Sequence, residues 1–176
     1  MAHSLITASA AEIVAAEAYD MNVEAPVAFT VGLLLHDIGK LVMSKAITPE
    51  IQGEIRRLIE KQGCSRSEAE KKVLGTDHGE IGACLLQSWN LPEEILEAVA
   101  NHHQPVCAPR PKLSVITHVA NCLAHLAGSA PGWDGFAVRV DPKAIAALDI
   151  DEGRLEGMVA NVREAFERVD QFMAMA

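Results

Sequence analysis

Apolar residues recur every three or four positions along most of the chain, which is the spacing of amphipathic helices. The last helix shows this best, because its apolar side chains from Leu155 to Phe172 share one face. No stretch alternates for long enough to predict a strand, and Val138–Val140 is too short to assign. The pattern predicts an all-α fold of about seven to nine helices. Helices are predicted at residues 4–19, 26–37, 49–61, 92–101 and 112–126. A short capped segment is predicted to end near Leu74, and a further helix begins at Asp77. Two more helices are predicted to begin near residues 142 and 151.

The helix that begins at Pro26 is apolar on all sides, as a buried central helix is. It runs into His36 and Asp37, and burying an imidazole and a carboxylate costs free energy unless both are satisfied. A divalent metal would satisfy both at once. A hydrogen-bonded His–Asp pair near a helix end is the alternative. Gly39 is expected to bend or end this helix.

Histidines stand at the ends of three predicted helices, as His36, His78 and the pair His102–His103. Helix ends can converge, and metal sites between helices are built in this way. Histidine and carboxylate without thiolate suit Fe, Mn, Zn or Ni better than a structural zinc site. The alternatives are that His78 simply begins a helix and that His102–His103 is a surface helix end, where the helix dipole favours cationic histidine.

Other side chains of these helices are interpreted as packing residues. His118 and His125 lie seven residues apart on one helix face and are predicted to be packing or surface residues rather than ligands. In the helix that opens at Asp77, four side chains are expected to face inward, namely Ile81, Cys84, Leu85 and Trp89.

Length and composition narrow the classes of protein. The 176 residues predict a single domain over 1–176. A net charge of −9 argues against nucleic-acid binding, but leaves room for a local pocket for a phosphorylated small molecule. The four cysteines form no CxxC pair and no signal peptide is visible, so we expect reduced thiols and a cytoplasmic protein. No apolar run approaches the ~18–20 residues that span a bilayer, so no membrane partner is expected.

Two stretches carry a family resemblance. Gly32-Leu-Leu-Leu-His-Asp-Ile-Gly-Lys40 resembles the signature of the HD phosphohydrolase superfamily. The stretch from His78-Gly-Glu-Ile-Gly through Trp89-Asn-Leu-Pro92 to His102-His-Gln-Pro105 resembles its HDOD branch, and His3-Ser4 is similar to that family's first histidine. The resemblance covers residues 3–126 and implies a helical bundle of the HD superfamily type.

The resemblance also implies a metal set. His3, His36 and Asp37 would hold one metal, and His78, His102 and His103 match positions that hold a further metal in cyclic-dinucleotide phosphodiesterases, with Asp37 able to bridge. Lys40 matches a lysine that contacts substrate phosphate, so Lys40 and Asp37 are the expected catalytic positions. The cofactor would be a divalent metal (Fe, Mn, Ni or Zn). A binuclear centre and the absence of any metal both remain open.

The sequence departs from the family pattern in three respects. The family's last ligand is an aspartate, and Val119-Ala120-Asn121 places an amide there. An amide oxygen of Asn121 can coordinate, but it brings no charge to a hard cation. The Gly-Tyr-Pro motif of active cyclic-di-GMP phosphodiesterases is absent after His103. HDOD domains usually carry more helices before the first histidine, so the chain is expected to be a fragment.

Three functions remain open at this point. The first is a regulatory HDOD domain that binds a phosphorylated ligand, a protein partner or an adjoining receiver or sensor domain without turnover. The lost aspartate and the missing Gly-Tyr-Pro favour it. The second is an active metal-dependent phosphohydrolase acting on a nucleotide or cyclic dinucleotide, which the near-complete histidine set favours. The third is a helical scaffold with vestigial histidines.

Overall fold

The computed structural model describes residues 2–18, 23–31, 35–128 and 139–175. It confirms the all-α prediction, since the described residues form helices and no strand. There are ten α-helices in the described part, one more than the upper predicted number. They are α1 (Ala2–Glu17), α2 (Ala25–Thr30), α3 (Ile38–Ala46), α4 (Pro49–Gln62), α5 (Arg66–Leu74), α6 (His78–Ser88), α7 (Glu93–Asn101), α8 (Pro111–Leu126), α9 (Pro142–Leu148) and α10 (Glu152–Met175), with a short 3-10 turn at Pro105–Cys107.

Local sequence signals set several helix ends. The side chains of Ser65 and Glu68 form a reciprocal capping box that begins α5. Asp77 accepts a hydrogen bond from the backbone of Glu80 and so caps α6, which places His78 at the first position of that helix. Gly63, with φ of 59°, ends α4 in the left-handed conformation that glycine adopts without strain.

The predicted helix over 26–37 is wrong in its extent. α2 ends at Thr30, and the amide of His36 donates to the carbonyl of Val31 over 3.0 Å in a wide, π-type turn. His36 and Asp37 therefore lie in a turn, a geometry that is frequent at functional sites. Gly39 does not end a helix but lies inside α3, which the apolar pattern did not predict. Residues 32–34 of the motif lie outside the described residues.

The inward face of α6 also differs from the prediction. Trp89 is 56% exposed and Cys84 is exposed, whereas Gly82 and Leu86 are buried. The buried face is the row of positions 78, 82 and 86, because α3 approaches α6 closely at its glycines. A glycine has no side chain that marks it as inward-facing, so the pattern favoured the wrong side of the helix.

The core is built around α8, which is buried continuously from Leu113 to Ala124. α1 and α10 pack against it, and Ile6, Ile116 and Met158 are among the large side chains that are fully enclosed there. A second, smaller cluster of Ile55, Ile59 and Ala69 joins α4 to α5. Across the described ranges, no helix has both the length and the apolar content to cross a membrane.

Candidate metal centre

Six of the predicted ligands meet in one place. His3 comes from α1, His36 and Asp37 from the turn before α3, His78 from the start of α6, and His102 and His103 from the end of α7. The carboxylate of Asp37 is at the centre of the group. Its Oδ1 lies 3.4 Å from Nε2 of His78 and 4.0 Å from Nε2 of His102. Its Oδ2 lies 3.4 Å from Nε2 of His36 and 3.9 Å from Nε2 of His3.

These side chains form two groups of three. In His78, His102 and His103, and again in His3, His36 and Asp37, one ligand atom of each residue lies within 4.8 Å of the others. The Nε2 atoms of His78 and His103 are 2.8 Å apart. The predicted convergence of helix ends is thus what the structure shows, while the binding of metal by these residues stays a prediction.

Hydrogen bonds outside the cluster orient two of its imidazoles. Oε2 of the fully buried Glu70 accepts from Nδ1 of His78 over 2.6 Å and from the His78 amide over 2.9 Å. The carbonyl of Val99 lies 2.7 Å from Nδ1 of His102. In each ring Nδ1 is thereby engaged, and Nε2 is directed toward Asp37. Metal-binding histidines are held in this manner by carboxylates and carbonyls.

Several polar atoms of the cluster suit a cation. Both ring nitrogens of His36, Nε2 of His102 and Oδ1 of Asp37 are buried and accept or donate no hydrogen bond within the described part of the chain. Such atoms are costly unless something satisfies them. A divalent cation bound by imidazole and carboxylate would do so, and Fe, Mn, Zn and Ni accept that donor set. The residues therefore fit the metal that the family resemblance implies.

The charges of the cluster also suit a cation. Burial lowers the pKa of His36 to about 4 and, together with the neighbouring imidazoles, keeps the pKa values of His102 and His103 well below their usual range. A lowered pKa favours the neutral form of the ring, which ligation requires. Burial also lowers the pKa of His78, but hydrogen bonds to Asp37 and Glu70 outweigh it and raise that pKa. Burial alone would raise the pKa of Asp37, but the charge of Lys40, with the neighbouring imidazoles of His36 and His78, outweighs it and holds that pKa well below its usual range.

A cavity of about 400 Å³, which we call the α8 cavity, lies beside the cluster. His78 and His103 form part of its wall. Lys40 also lines the cavity, and its Nζ donates to Oδ2 of Asp37 over 2.8 Å, so Lys40 lies between the cavity and the cluster. Asn121, the amide at the family's aspartate position, also lines the cavity, and its Oδ1 is buried without a hydrogen bond to any described residue. All the predicted site residues therefore belong to the cluster or to this cavity.

His118 and His125 also line the α8 cavity, so they are not only packing residues of α8. The ring of His125 lies 4.5 Å from that of His3, centroid to centroid. His118 is buried and its Nδ1 is 2.7 Å from the carbonyl of His102. The sequence feature that indicates a shared location for these two histidines is their seven-residue spacing on one helix face, with Asn121 between them.

The sequence model of the HDOD domain family matches residues 1–105, more than half of the chain. The chain belongs to the HDOD family. The resemblance stated from the motifs is thereby confirmed, and HDOD domains are related to the HD phosphohydrolase superfamily. The matched residues carry all six members of the histidine–aspartate cluster, whereas α8, with Asn121, lies beyond them.

Two relatives of this HDOD chain are much longer proteins. An uncharacterized protein of Treponema pallidum (strain Nichols) is 29% identical over 101 residues, which are 56% of this chain and 20% of that protein. Ribonuclease Y of Lawsonia intracellularis (strain PHE/MN1-00) is 28% identical over 156 residues, which are 89% of this chain and 23% of that protein. The chain therefore spans less than a quarter of the length of either relative.

Two solved structures share the HDOD fold. An HDOD domain protein of unknown function from Geobacter sulfurreducens has a TM-score of 0.68 at 19% identity, covering 96% of this chain and 61% of that one. A protein of Shewanella amazonensis SB2B, provisionally named a phosphohydrolase, has a TM-score of 0.63 at 22% identity, covering 94% and 62%. At these identities the likeness shows the fold alone.

Glu70 was not predicted from the sequence, and its role in this HDOD chain can be tested. Glu70→Gln removes the charge that holds Nδ1 of His78, so we expect the Kd for Mn²⁺ to rise about tenfold to a hundredfold. Isothermal titration of chelator-treated protein measures it. Glu54→Gln, an exposed change on α4, is the control and should leave the Kd unaltered. Equal Kd values for the two variants would mean that Glu70 does not position His78 for metal.

Proposed function

We propose that this chain is a metal-dependent binding module for a phosphorylated small molecule and acts as the ligand-responsive part of a regulatory protein. One observation carries the proposal. His78 and His103 of the histidine–aspartate cluster line the α8 cavity, whose lining also holds the cationic residues Lys40 and Arg66. In a chain of net charge −9, such a local concentration of cations favours an anionic ligand.

Different residues would bind the metal and the phosphate. His3, His36 and Asp37 would hold one divalent cation, and His78, His102 and His103 a second. A bound cation would polarise a phosphate oxygen and offset its charge. Lys40, at the meeting point of cluster and cavity, donates to the same phosphate and neutralises part of its charge. The amide of Asn121 presents an oxygen without charge, which favours holding a ligand over turning it over.

The length of the relatives is compatible with a regulatory context. In both matched relatives the similar region is less than a quarter of the protein, so it functions there beside other parts of a long chain. A binding module whose occupancy is communicated to an adjoining receiver, sensor or partner protein suits that arrangement.

The test is whether phosphate binding depends on metal. Chelator-treated protein is loaded with Mn²⁺, the metal content is determined by elemental analysis, and inorganic phosphate is titrated into the loaded and metal-free forms by calorimetry. We expect one to two equivalents of Mn²⁺ and a phosphate Kd at least about tenfold lower in the loaded form. Failure to take up metal, or equal phosphate Kd values in the two forms, would overturn the proposal.

Phosphoester hydrolysis is the second candidate, and the placement of Asp37 favours it. Its Oδ1 lies near His78 and its Oδ2 near His36, so Asp37 would be able to hold a metal in either histidine group. Two bound metals would stabilise the attacking and the leaving oxygens of a phosphoester. The name of the Lawsonia ribonuclease supports hydrolysis as a reaction class. Release of 4-nitrophenol from bis(4-nitrophenyl) phosphate by the Mn²⁺-loaded protein, absent in the metal-free form, would establish turnover in place of binding alone.

A further inference from the structure

The short segment before α9 is held against α8 by side chains of α8. The amide of Asp141 donates to Nε2 of His118 over 3.0 Å, and Sγ of Cys122 donates to the carbonyl of Arg139 over 3.8 Å. Because Nε2 of His118 accepts, its Nδ1 carries the hydrogen and donates to the carbonyl of His102 over 2.7 Å. His118 therefore connects the backbone of a candidate metal ligand to the backbone that carries Arg139.

Arg139 is an exposed residue that lines the α8 cavity. Of the other cations there, Lys40 faces Asp37, and Nε of Arg66 is 2.7 Å from Oε1 of Glu70. Arg139 forms no direct ion pair with a carboxylate within the ranges that the structure describes, but after the hydrogen bonds from Ser65 its charge also contributes to lowering the pKa of Glu68. Glu68, the lining carboxylate, accepts from the amide of Ser65 in the capping box. With Lys40 assigned to the first phosphate and Arg66 paired with Glu70, Arg139 is the lining cation that is left to bind a second anionic group.

We propose that Arg139 binds a second anionic group of the ligand, so that the ligand class is an organic compound carrying a phosphate at one end and a further phosphate or a carboxylate at the other. The inference rests on the proposed function, which places the first phosphate at the metal cluster and Lys40. Guanidinium binds phosphate and carboxylate through paired N–H donors, and both groups are therefore candidates for the second position.

The position of Arg139 in the chain suits a role in selectivity. The HDOD sequence model ends at residue 105, so the cluster belongs to the part that the family shares and Arg139 to the part beyond it. The shared part supplies the phosphate site, and Arg139, on the short segment before α9, supplies the group that distinguishes one phosphorylated ligand from another. His118 acts as a positioning residue for that segment.

The experiment compares ligands that differ at one end. Straight-chain alkanediols of two, four and six carbons, phosphorylated at one end or at both, are titrated into Mn²⁺-loaded protein, together with the matching ω-phosphorylated carboxylic acids. We expect at least one doubly anionic compound to bind about tenfold or more tightly than its singly phosphorylated counterpart. A gain with both series would mean that the second group is either a phosphate or a carboxylate. A gain with the bisphosphates alone would mean that it is a phosphate.

The variants assign that gain to Arg139. Arg139→Gln should abolish most of the gain while leaving the Mn²⁺ content and the monophosphate Kd within about twofold of the unaltered protein. Arg57→Gln, an exposed change on α4 outside the cavity, should preserve it. His118→Gln should reduce the gain more than it weakens monophosphate binding, a difference that a purely structural defect would not produce.

The outcomes separate this inference from the proposed function. Monophosphate binding that depends on metal, with no gain from a second anionic group at any length, overturns the role of Arg139 and leaves the proposed function standing. A gain that persists in Arg139→Gln likewise overturns the role of Arg139 and leaves the proposed function standing. Absence of any phosphate binding by the metal-loaded protein overturns both.

Discussion

Replacement of Asp37 by asparagine is expected to abolish metal binding at both histidine groups, raising the Kd for Mn²⁺ by at least about 100-fold. The reason is the central position of this carboxylate, which lies 3.4 Å from imidazoles of both groups. Changes to groups that merely orient a ligand cost 10–100-fold in affinity, so loss of the one anionic ligand costs more. Elemental analysis after purification and calorimetric titration of chelator-treated protein measure the effect.

Two further variants make the Asp37 experiment specific. His36→Ala removes a member of one group and should lower the Mn²⁺ stoichiometry by one equivalent, leaving the group of His78, His102 and His103 able to bind. Asp170→Asn changes an exposed carboxylate on α10 and should alter neither stoichiometry nor Kd. If Asp37→Asn retains the metal content of the Asp170 control, Asp37 is not a ligand and the centre proposed here is wrong.

The meeting of the histidines was predictable from the sequence for a physical reason. Polar residues in an apolar helical chain gather at helix ends, where backbone groups are also unsatisfied, and ends of packed helices adjoin one another. His36, His78 and the pair His102–His103 each stand at an end of a predicted helix, and the structure brings them together. The motif resemblance then added His3, which helical periodicity alone does not single out.

Glu70 and Arg139 could not be found in this way. Glu70 lies among the charged residues of α5, a composition typical of a solvated helix, and its complete burial depends on how α5 meets His78. Arg139 depends on hydrogen bonds between positions far apart in sequence, because the amide of Asp141 bonds to His118, 23 residues earlier. A linear pattern carries no information on either contact.

The same limit explains the missed helix α3. Helical periodicity records where apolar side chains lie, and at Gly39 the feature that matters is the lack of a side chain. Gly39 of α3 is buried against His78 and Gly82 of α6, so that the two backbones are in direct contact. This contact fixes both the turn that carries His36 and Asp37 and the start of the helix that carries His78.

Gly39→Ala is therefore expected to lower the free energy of unfolding by about 3 kcal/mol, near the upper end of the usual cost of overpacking. A Cβ there would overlap the carbonyl oxygen of His78 and lie 2.7 Å from its carbonyl carbon and 2.8 Å from the amide nitrogen of Gly82. These are backbone atoms of a buried helix, so no side chain can rotate away. Urea unfolding followed by circular dichroism at 222 nm measures the loss.

A second glycine provides the matched control. Gly53 lies within α4, and a Cβ at that position would meet no atom within 4 Å. Gly53→Ala should raise the free energy of unfolding by about 0.5–1 kcal/mol, because alanine loses less backbone entropy than glycine in a helix. Opposite signs for the two substitutions would show that the close approach of α3 and α6, rather than glycine content, sets the geometry of the centre. Equal stabilisation by both would mean that α3 and α6 lie farther apart than the structure has them, and that the relative placement of Asp37 and His78 must be revised.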